Sequence, residues 1–218
     1  MKASEESTVT RVDKQKRNKH RYNVHLDGEY AFSVHEDLLI KYRLLKGEVV
    51  NKEQLQTILE EDEKHRAYLD AIRFIGVRPR SVKEVKLKLK QRGYEPPLIQ
   101  GTVDKLLDQN YLDDTQFAKM WAEQRVTFNK KGKKWIQAEL AQKGIDRSKI
   151  QEAVEGIGEE EELTSAEDLA RKKWPTLSGE EYEKKRKLYA FLMRRGYTPS
   201  IVGEAVKRIT GESIEEFD

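Results

Sequence analysis

The sequence predicts a mainly α-helical protein of three tandem three-helix repeats, preceded by a small antiparallel β-sheet. Three observations support this: alternating apolar residues before residue 36, helical apolar spacing after it, and a glycine-centred pattern that recurs three times. Of the 218 residues, 37% are charged, against about 25% in typical soluble domains. So many charges leave little apolar material for one large core, and we therefore expect an elongated, solenoid-like array of small bundles.

The segment between Arg21 and Glu36 has the alternation of a β-hairpin. Apolar side chains recur at every second residue on both sides of Asp27-Gly28, a dipeptide that favours a tight two-residue turn. A third strand is expected around Val9 to Val12, because an isolated hairpin is only marginally stable in water. The apolar residues of the predicted hairpin are Tyr22, Val24, Leu26, Tyr30, Phe32 and Val34.

The apolar period changes to that of an α-helix at Asp37. A short amphipathic helix is expected to end near Lys46-Gly47, and Asn51 is the predicted N-cap of a long helix that Gly76 ends. The apolar face of the short helix would comprise Leu38, Leu39, Tyr42 and Leu45.

The repeats are centred on Gly93, Gly144 and Gly196, which are separated by 51 and 52 residues. Apolar residues recur at helical spacing on both sides of each glycine, so each repeat is predicted to contain a helix, a glycine turn with positive φ, and a second helix. A further helix precedes each pair. The recurring apolar positions are Val85, Ile136 and Leu188; Leu89, Leu140 and Leu192; Ile99, Ile150 and Val202; and Val103, Val154 and Val206.

The domain organisation follows from this repeat. We expect an amino-terminal β-hairpin and helical extension over residues 1–62, and helical repeats over 63–114, 115–163 and 164–218. The last of these includes an acidic tail.

Composition and motifs argue against several classes of protein. No apolar stretch is long enough for a transmembrane helix or a signal peptide, and there is no cysteine, so we expect a cytoplasmic protein without membrane contact. The four histidines form no His-Glu-x-x-His motif and no phosphate-binding loop is present. We therefore expect no enzymatic activity, no cofactor and no metal site.

Basic residues are concentrated near the start of the middle helix of each repeat. Such clusters suit a phosphate backbone or an acidic protein groove, although a charge run is also compatible with a merely solvated face. The candidate binding residues are Arg80, Lys83 and Lys86 in the first repeat; Arg125, Lys130, Lys131, Lys133 and Lys134 in the second; and Lys184, Lys185, Arg186 and Lys187 in the third.

Three tryptophans, Trp121, Trp135 and Trp174, lie near these basic clusters. Aromatic rings beside cations can stack on single-stranded bases. Their helical spacing favours packing for Trp121 and Trp135, which follow Met120 and precede Ile136 respectively.

Several motifs together resemble the RecX family of recombination regulators, of the Gram-positive type with an amino-terminal extension. The resemblance covers roughly residues 63–210 and is most specific in the middle repeat. The motifs are Arg80-Ser81-x-x-Glu84 with Gly93-Tyr94; Tyr111-Leu112-Asp113-Asp114-x-x-Phe117-Ala118-x-x-Trp121 with Arg125; and Ile136-x-x-Glu139-Leu140-x-x-Lys143-Gly144-Ile145.

The resemblance implies a function that composition does not show. Members of this family are cytoplasmic, non-enzymatic proteins that bind the RecA recombinase filament on single-stranded DNA and regulate DNA repair by homologous recombination, including the SOS response. It implies a protein that inhibits filament extension, ATP hydrolysis and strand exchange, and that contacts single-stranded and, as a further option, double-stranded DNA. We expect this protein to be a monomer.

Two alternatives remain beside this hypothesis. A helical-repeat protein could bind nucleic acid without any recombinase partner, and a pull-down with RecA in the presence and absence of single-stranded DNA distinguishes the two. An enzyme with an unrecognised active site would need a compact cluster of convergent polar side chains, for which the sequence gives no indication.

Overall fold

The computed structural model of the chain describes residues 6–211. The chain divides into two compact units. Among the described residues, the first unit comprises 6–77 and 88–105 and the second comprises 78–87 and 106–211.

A four-stranded antiparallel sheet forms the first part of the first unit. Its strands are β1 (Glu6–Lys14), β2 (Arg21–Leu26), β3 (Glu29–His35) and β4 (Val49–Asn51), in the spatial order β3-β2-β1-β4. The predicted hairpin is β2-β3, with Asp27 and Gly28 both at positive φ, as its two-residue turn requires. The third strand expected near Val9 is β1, so this prediction is confirmed.

One face of the sheet is buried, but the alternation along β3 is not perfect. Val9, Val24 and Val34 are fully buried, whereas Tyr30 is exposed. The pairing register shifts between Val24 and His25, so that Tyr30 lies opposite His25 and no longer shares the buried face. Tyr30 therefore departs from the period of two expected for Tyr30, Phe32 and Val34, because an irregularity in the ladder interrupts it.

The segment after the hairpin also differs from the prediction. Helix α1 (Glu36–Lys41) ends several residues before Lys46-Gly47, because Arg43 adopts a positive φ that a helix cannot continue through. As a result Leu45 is exposed and Leu44 is buried in its place. Strand β4 was not predicted from the sequence, because its three residues are too few to show a period.

Helix α2 (Lys52–Ile75) begins and ends where the sequence predicted. Asn51 is its N-cap, and its side chain and that of Gln54 form a reciprocal capping box. Asp62, on the buried face of α2, accepts hydrogen bonds from the Arg21 guanidinium at 2.7 and 3.2 Å and from the His35 backbone N–H at 2.9 Å. This carboxylate fixes the end of β3 against the middle of α2.

Eight further helices follow in the described part of the chain. Their bounds are α3 (Val82–Gln91), α4 (Pro96–Asp108), α5 (Asp114–Thr127), α6 (Lys133–Gln142), α7 (Arg147–Glu155), α8 (Glu159–Lys173), α9 (Glu181–Arg194) and α10 (Pro199–Thr210), with a short 3₁₀ turn at Trp174–Thr176 between α8 and α9. The three predicted glycine turns connect α3 to α4, α6 to α7, and α9 to α10.

The glycine-centred repeat is present as predicted. Gly93, Gly144 and Gly196 have φ of +87°, +78° and +89°, a conformation that residues with a Cβ rarely adopt. The leucines four residues before each glycine, Leu89, Leu140 and Leu192, are completely buried. The repeat therefore reflects three structurally equivalent helix–turn–helix elements.

Successive repeats meet in the same way at two places in the second unit. At the first junction, the Ser81 hydroxyl donates a hydrogen bond to the Lys143 carbonyl at 2.8 Å, next to Gly144. At the second, the Gly132 N–H donates to the Arg195 carbonyl at 3.0 Å, next to Gly196. In each case the start of one repeat's middle helix lies against the glycine turn of the following repeat.

At each junction a carboxylate in the first turn of the helix that opens the next three-helix unit, α5 or α8, also caps the middle helix. The Asp114 side chain accepts from the Val82 N–H at 3.0 Å, and the Glu162 side chain accepts from the Lys133 N–H at 2.9 Å. The first helical N–H groups lack partners within their own helix, so these carboxylates satisfy orphan donors. The junctions therefore place the starts of α3 and α6, which carry the basic residues predicted from the sequence, next to the following repeat.

Candidate functional site

All twelve basic residues that the sequence singled out belong to the second unit, but they differ in environment. In the first group Arg80 and Lys86 are partly buried. The ammonium group of Lys83 donates to the Gln142 carbonyl at 2.9 Å, and the Lys83 stem lies where a Cβ on Gly144 would be. Lys83 therefore contributes to the first junction.

The third group is also partly engaged within the chain. Lys185 is buried and pairs with Glu181 at 3.3 Å, while Lys184 lies 4.5 Å from the centre of the Trp174 ring. Lys187 donates to the Ser178 carbonyl at 2.8 Å. Arg186 is exposed.

The second group is organised around a partly buried ion pair between α5 and α6. The Arg125 guanidinium contacts both oxygens of Glu139, at 2.8 and 3.0 Å, and the indole N–H of Trp121 donates to the same carboxylate at 2.8 Å. Hydrogen bonds with this forked geometry orient both partners. The pair holds α5 and α6 in a fixed relationship.

Cations cover the tryptophan rings. The centre of the Trp121 ring lies 4.0 Å from the Arg125 guanidinium and 4.1 Å from the Lys143 ammonium, and Phe117 stacks beside it. The Lys131 ammonium lies 4.0 Å from the centre of Trp135. Both tryptophans pack against the core of the second repeat. The prediction that they pack is confirmed, and their rings serve to position cations.

Lys131 lies within electrostatic reach of two further cations, Arg195 and Arg125. Desolvation lowers the pKa of Lys131, and repulsion from Arg195 and Arg125 lowers it further, against the attraction of Glu139. Holding like charges close together is unfavourable in free energy, and a bound anion reduces this repulsion. We define the cationic cluster as Arg125, Lys131 and Arg195.

The remaining lysines of the second group surround this cluster. Lys130 pairs with Asp168 at 3.0 Å, and Lys133 lies 3.8 Å from the buried Glu162. Lys134 is exposed, and its backbone N–H donates to the Gly196 carbonyl at 3.0 Å. Polyanions can therefore approach Lys134 directly, whereas Lys130 and Lys133 are already paired.

Sequence reasoning did not identify Glu139, Lys143 or Arg195 as site residues. Trp121 lies four residues before Arg125, and Glu139 lies four residues before Lys143. Each of these two pairs therefore shares a helix face, which could have been recognised from the sequence. Arg195 precedes a turn glycine, as Lys143 does, and only the three-dimensional junction places it beside Lys131.

An apolar groove lies on the same repeat. It has a volume of about 840 Å³, and its lining includes the apolar Phe117, Met120, Trp121, Phe128 and Ile157 together with the charged Arg78, Lys119, Glu123, Glu152 and Glu161. Met120 and Phe128 are exposed although both are large and apolar. An apolar surface surrounded by charged residues of both signs is suited to contact with another protein.

The histidines are closer together than the sequence indicated. His35, at the end of β3, and His65, on α2, have ring centres 4.3 Å apart, and the Asp37 carboxylate lies near both. Desolvation and the neighbouring His35 lower the pKa of His65. No metal site was predicted from the sequence, and no sequence pattern indicated that His65 lies close to His35.

Comparison with known proteins identifies the family. Four family models match: the regulatory protein RecX N-terminal domain at residues 7–51, and the first, second and third RecX three-helix domains at 67–106, 113–154 and 159–206. The chain belongs to the RecX family. The resemblance stated from the motifs is thereby confirmed.

Curated RecX relatives match over nearly the full chain. A protein of Clostridium acetobutylicum named "Regulatory protein RecX" is 34% identical over 214 residues, which cover 96% of this chain and 99% of the relative. One of Halalkalibacterium halodurans with the same name is 35% identical, covering 95% of this chain and 80% of the relative. These names describe regulatory proteins and mention no catalytic activity.

Solved RecX structures share the fold. A crystal structure of regulatory protein RecX has a TM-score of 0.72 at 27% identity, covering 94% of this chain and all of the other. RecX from Lactobacillus salivarius has a TM-score of 0.65 at 22% identity, over 70% of this chain. Over residues 6–211, no helix combines the length and apolarity needed to cross a membrane.

Proposed function

We propose that this protein binds the RecA recombinase filament on single-stranded DNA and inhibits its extension, its ATP hydrolysis and strand exchange. Membership of the RecX family supports a regulatory role in recombination. The observation that supports the choice of contact surface is the cationic cluster of Arg125, Lys131 and Arg195, in which the partly buried Lys131 is repelled by Arg195 and by Arg125, the latter already paired with Glu139.

The chemistry of the cluster matches a phosphate or carboxylate partner. Arg125 is already oriented by Glu139, and Lys131 by Trp135, so little side-chain entropy is lost when an anion binds beside them. A neighbouring anion also removes the repulsion that lowers the pKa of Lys131. The exposed Lys134 extends the positive surface at the same junction.

The apolar groove favours a protein partner in addition to nucleic acid. A phosphate backbone is recognised by charge and gains little from an apolar groove. Met120 and Phe128 supply apolar area of the kind that fills pockets at protein interfaces. The charged and apolar contacts lie on one repeat of a chain that contains further repeats. On a filament of repeated protomers, several such contacts in one chain would increase the overall affinity through avidity.

The proposal is tested by measuring ATP hydrolysis by RecA on single-stranded DNA with increasing amounts of this protein. Wild type is compared with a variant in which Lys130, Lys131, Lys133 and Lys134 are all replaced by Ala. The matched control replaces four exposed lysines elsewhere, Lys46, Lys52, Lys64 and Lys172, and so removes the same net charge.

The quadruple lysine variant is expected to need at least about tenfold more protein for half-maximal inhibition, and its difference from the control should be largest at low salt. Circular dichroism and thermal unfolding verify that each variant is folded. Unchanged inhibition by a folded quadruple lysine variant would contradict the assignment of the basic surface around Lys131. Absence of any inhibition by the wild-type protein would contradict the function itself.

A second pair of variants distinguishes the protein partner from DNA alone. Met120→Ala with Phe128→Ala should weaken pull-down by RecA filaments while leaving binding to naked single-stranded DNA unchanged. The alternative, a nucleic-acid-binding repeat protein without a recombinase partner, predicts equal binding to DNA with and without RecA.

A further inference from the structure

Three potential metal ligands converge in the first unit from three different elements. They are the His35 ring at the end of β3, the Asp37 carboxylate in the first turn of α1, and the His65 ring on α2. One ligand atom from each lies within 4.8 Å of the other two. None of these residues belongs to the cationic cluster, so a metal site at this position is independent of the proposed function.

The distances between these atoms approach those of a tetrahedral metal site. Zn²⁺ binds imidazole nitrogen and carboxylate oxygen at about 2.0–2.2 Å, which places neighbouring ligand atoms about 3.3–3.5 Å apart. Asp37 Oδ2 lies 3.4 Å from His35 Nδ1 and 3.6 Å from His65 Nε2. Two of the three distances therefore already suit a shared ion, and the two imidazole nitrogens lie within 4.8 Å of each other.

The hydrogen-bonding of the histidines leaves their nitrogens available. His65 Nε2 is buried and has no hydrogen-bond partner within the described part of the chain. A buried imidazole nitrogen without a partner is unusual in a folded protein. His35 Nδ1 accepts only a long hydrogen bond of 3.3 Å from the Asp37 N–H, which a metal would replace.

The surrounding structure fixes the ligands in place. The buried Asp62, three residues before His65 on α2, accepts from the His35 N–H and from Arg21, so the end of β3 is held next to His65. The Asp37 side chain is 65% exposed, which gives an ion a path from solvent.

We propose that His35, Asp37 and His65 bind Zn²⁺, with water at the fourth position. The ion would join β3, α1 and α2, and would stabilise the first unit. Two neutral nitrogens and one carboxylate form a donor set that zinc accepts.

The test uses the full chain without a polyhistidine tag, freed of metal by a chelator. Zn²⁺ is titrated in competition with a chromogenic chelator, and Co²⁺ is added separately to record its visible absorption. We expect one ion per chain with a Kd in the micromolar range or below, a tetrahedral Co²⁺ spectrum, and a rise of at least about 3 °C in the melting temperature with Zn²⁺.

Variants assign the ion to these residues. His65→Gln and Asp37→Asn should each weaken Zn²⁺ binding at least about tenfold and abolish the rise in melting temperature. Asp37→Asn changes an exposed side chain and should remain folded, which circular dichroism verifies. His25→Gln, in the same sheet but outside the cluster, should bind as the wild type does. Wild-type-like binding by folded Asp37→Asn, or a wild-type Kd in the millimolar range, would overturn the proposal.

Discussion

Gly132 packs directly on the backbone of Gly196. The Gly132 N–H bonds to the carbonyl just before Gly196, and a Cβ on Gly132 would overlap the Gly196 carbonyl oxygen and the Tyr197 nitrogen. The helix start and the glycine turn therefore approach each other more closely than side chains allow. This contact joins the second and third repeats beside the cationic cluster.

The first prediction is that Gly132→Ala destabilises the protein by about 2 kcal/mol or more. The added methyl meets backbone atoms, which cannot move aside as a flexible side chain can, so the junction must open. The measurement is urea unfolding followed by circular dichroism. Gly101→Ala is the control: it lies within α4, has open space around it, and should be neutral or slightly stabilising. Equal effects of the two substitutions would contradict the close approach.

A second prediction separates backbone strain from steric contact at the glycine turns. Gly93→Val and Gly144→Val both place a β-branched residue at positive φ, which costs on the order of 1–2 kcal/mol. Only Gly144 has a neighbour within contact, since its Cβ would lie 2.5 Å from Lys83 Cδ, whereas a Cβ on Gly93 meets nothing within 4 Å. Gly144→Val should therefore be the more destabilising of the two in urea unfolding. The reverse order would be inconsistent with the packing of Lys83 on this turn.

These positions illustrate what sequence alone can predict. The glycine turns, the buried leucines and the Asn51 cap depend on neighbours a few residues away, and a local pattern records them. The Gly132–Gly196 contact and the Asp62 network join residues far apart in the chain, so no local period indicates them. For the same reason the basic clusters were found as runs of residues, while Arg195 and the pairing of Arg125 with Glu139 were not.

The third prediction concerns Glu162, the buried carboxylate that caps α6. Desolvation raises the pKa of Glu162, and its contacts with Lys133 only partly offset this. A raised pKa means that the folded state binds more protons than the unfolded state, so this group's contribution to stability decreases as pH rises through the folded pKa. Glu162→Gln keeps an acceptor for the Lys133 N–H without a buried charge, and should be at least as stable as wild type at pH 7.

The comparison for this prediction is Glu162→Ala, which leaves the Lys133 N–H without an acceptor. It should cost about 1–3 kcal/mol in urea unfolding at any pH. Any stability advantage of Glu162→Gln over the wild type should shrink when the pH is lowered and Glu162 becomes protonated. A Gln variant as unstable as the Ala variant at pH 7 would mean that the charge, and not the hydrogen bond, stabilises the junction.

The last prediction concerns Glu139, whose pKa shift has the opposite sign. Desolvation raises the pKa of Glu139, but the hydrogen bonds from Arg125 and Trp121 and the charges of Arg125 and Lys143 outweigh it, so the pKa is lowered overall. The folded state then binds fewer protons than the unfolded state. The resulting stability is present above about pH 4.5 and is lost as pH falls through the lowered folded pKa.

Glu139→Gln should therefore destabilise the protein by about 1–3 kcal/mol at pH 7, because the Gln side chain cannot pair with the Arg125 charge. The difference from wild type should shrink as the pH falls from 4.5 through the lowered folded pKa of Glu139, because the wild-type carboxylate then becomes protonated. Urea unfolding between pH 3 and pH 7 measures both effects, with the exposed Glu123→Gln on α5 as the charge-matched control. Because Arg125 loses its orienting partner, Glu139→Gln should also weaken inhibition of RecA ATP hydrolysis. A folded variant that inhibits as well as wild type would show that the oriented guanidinium is not part of the contact surface.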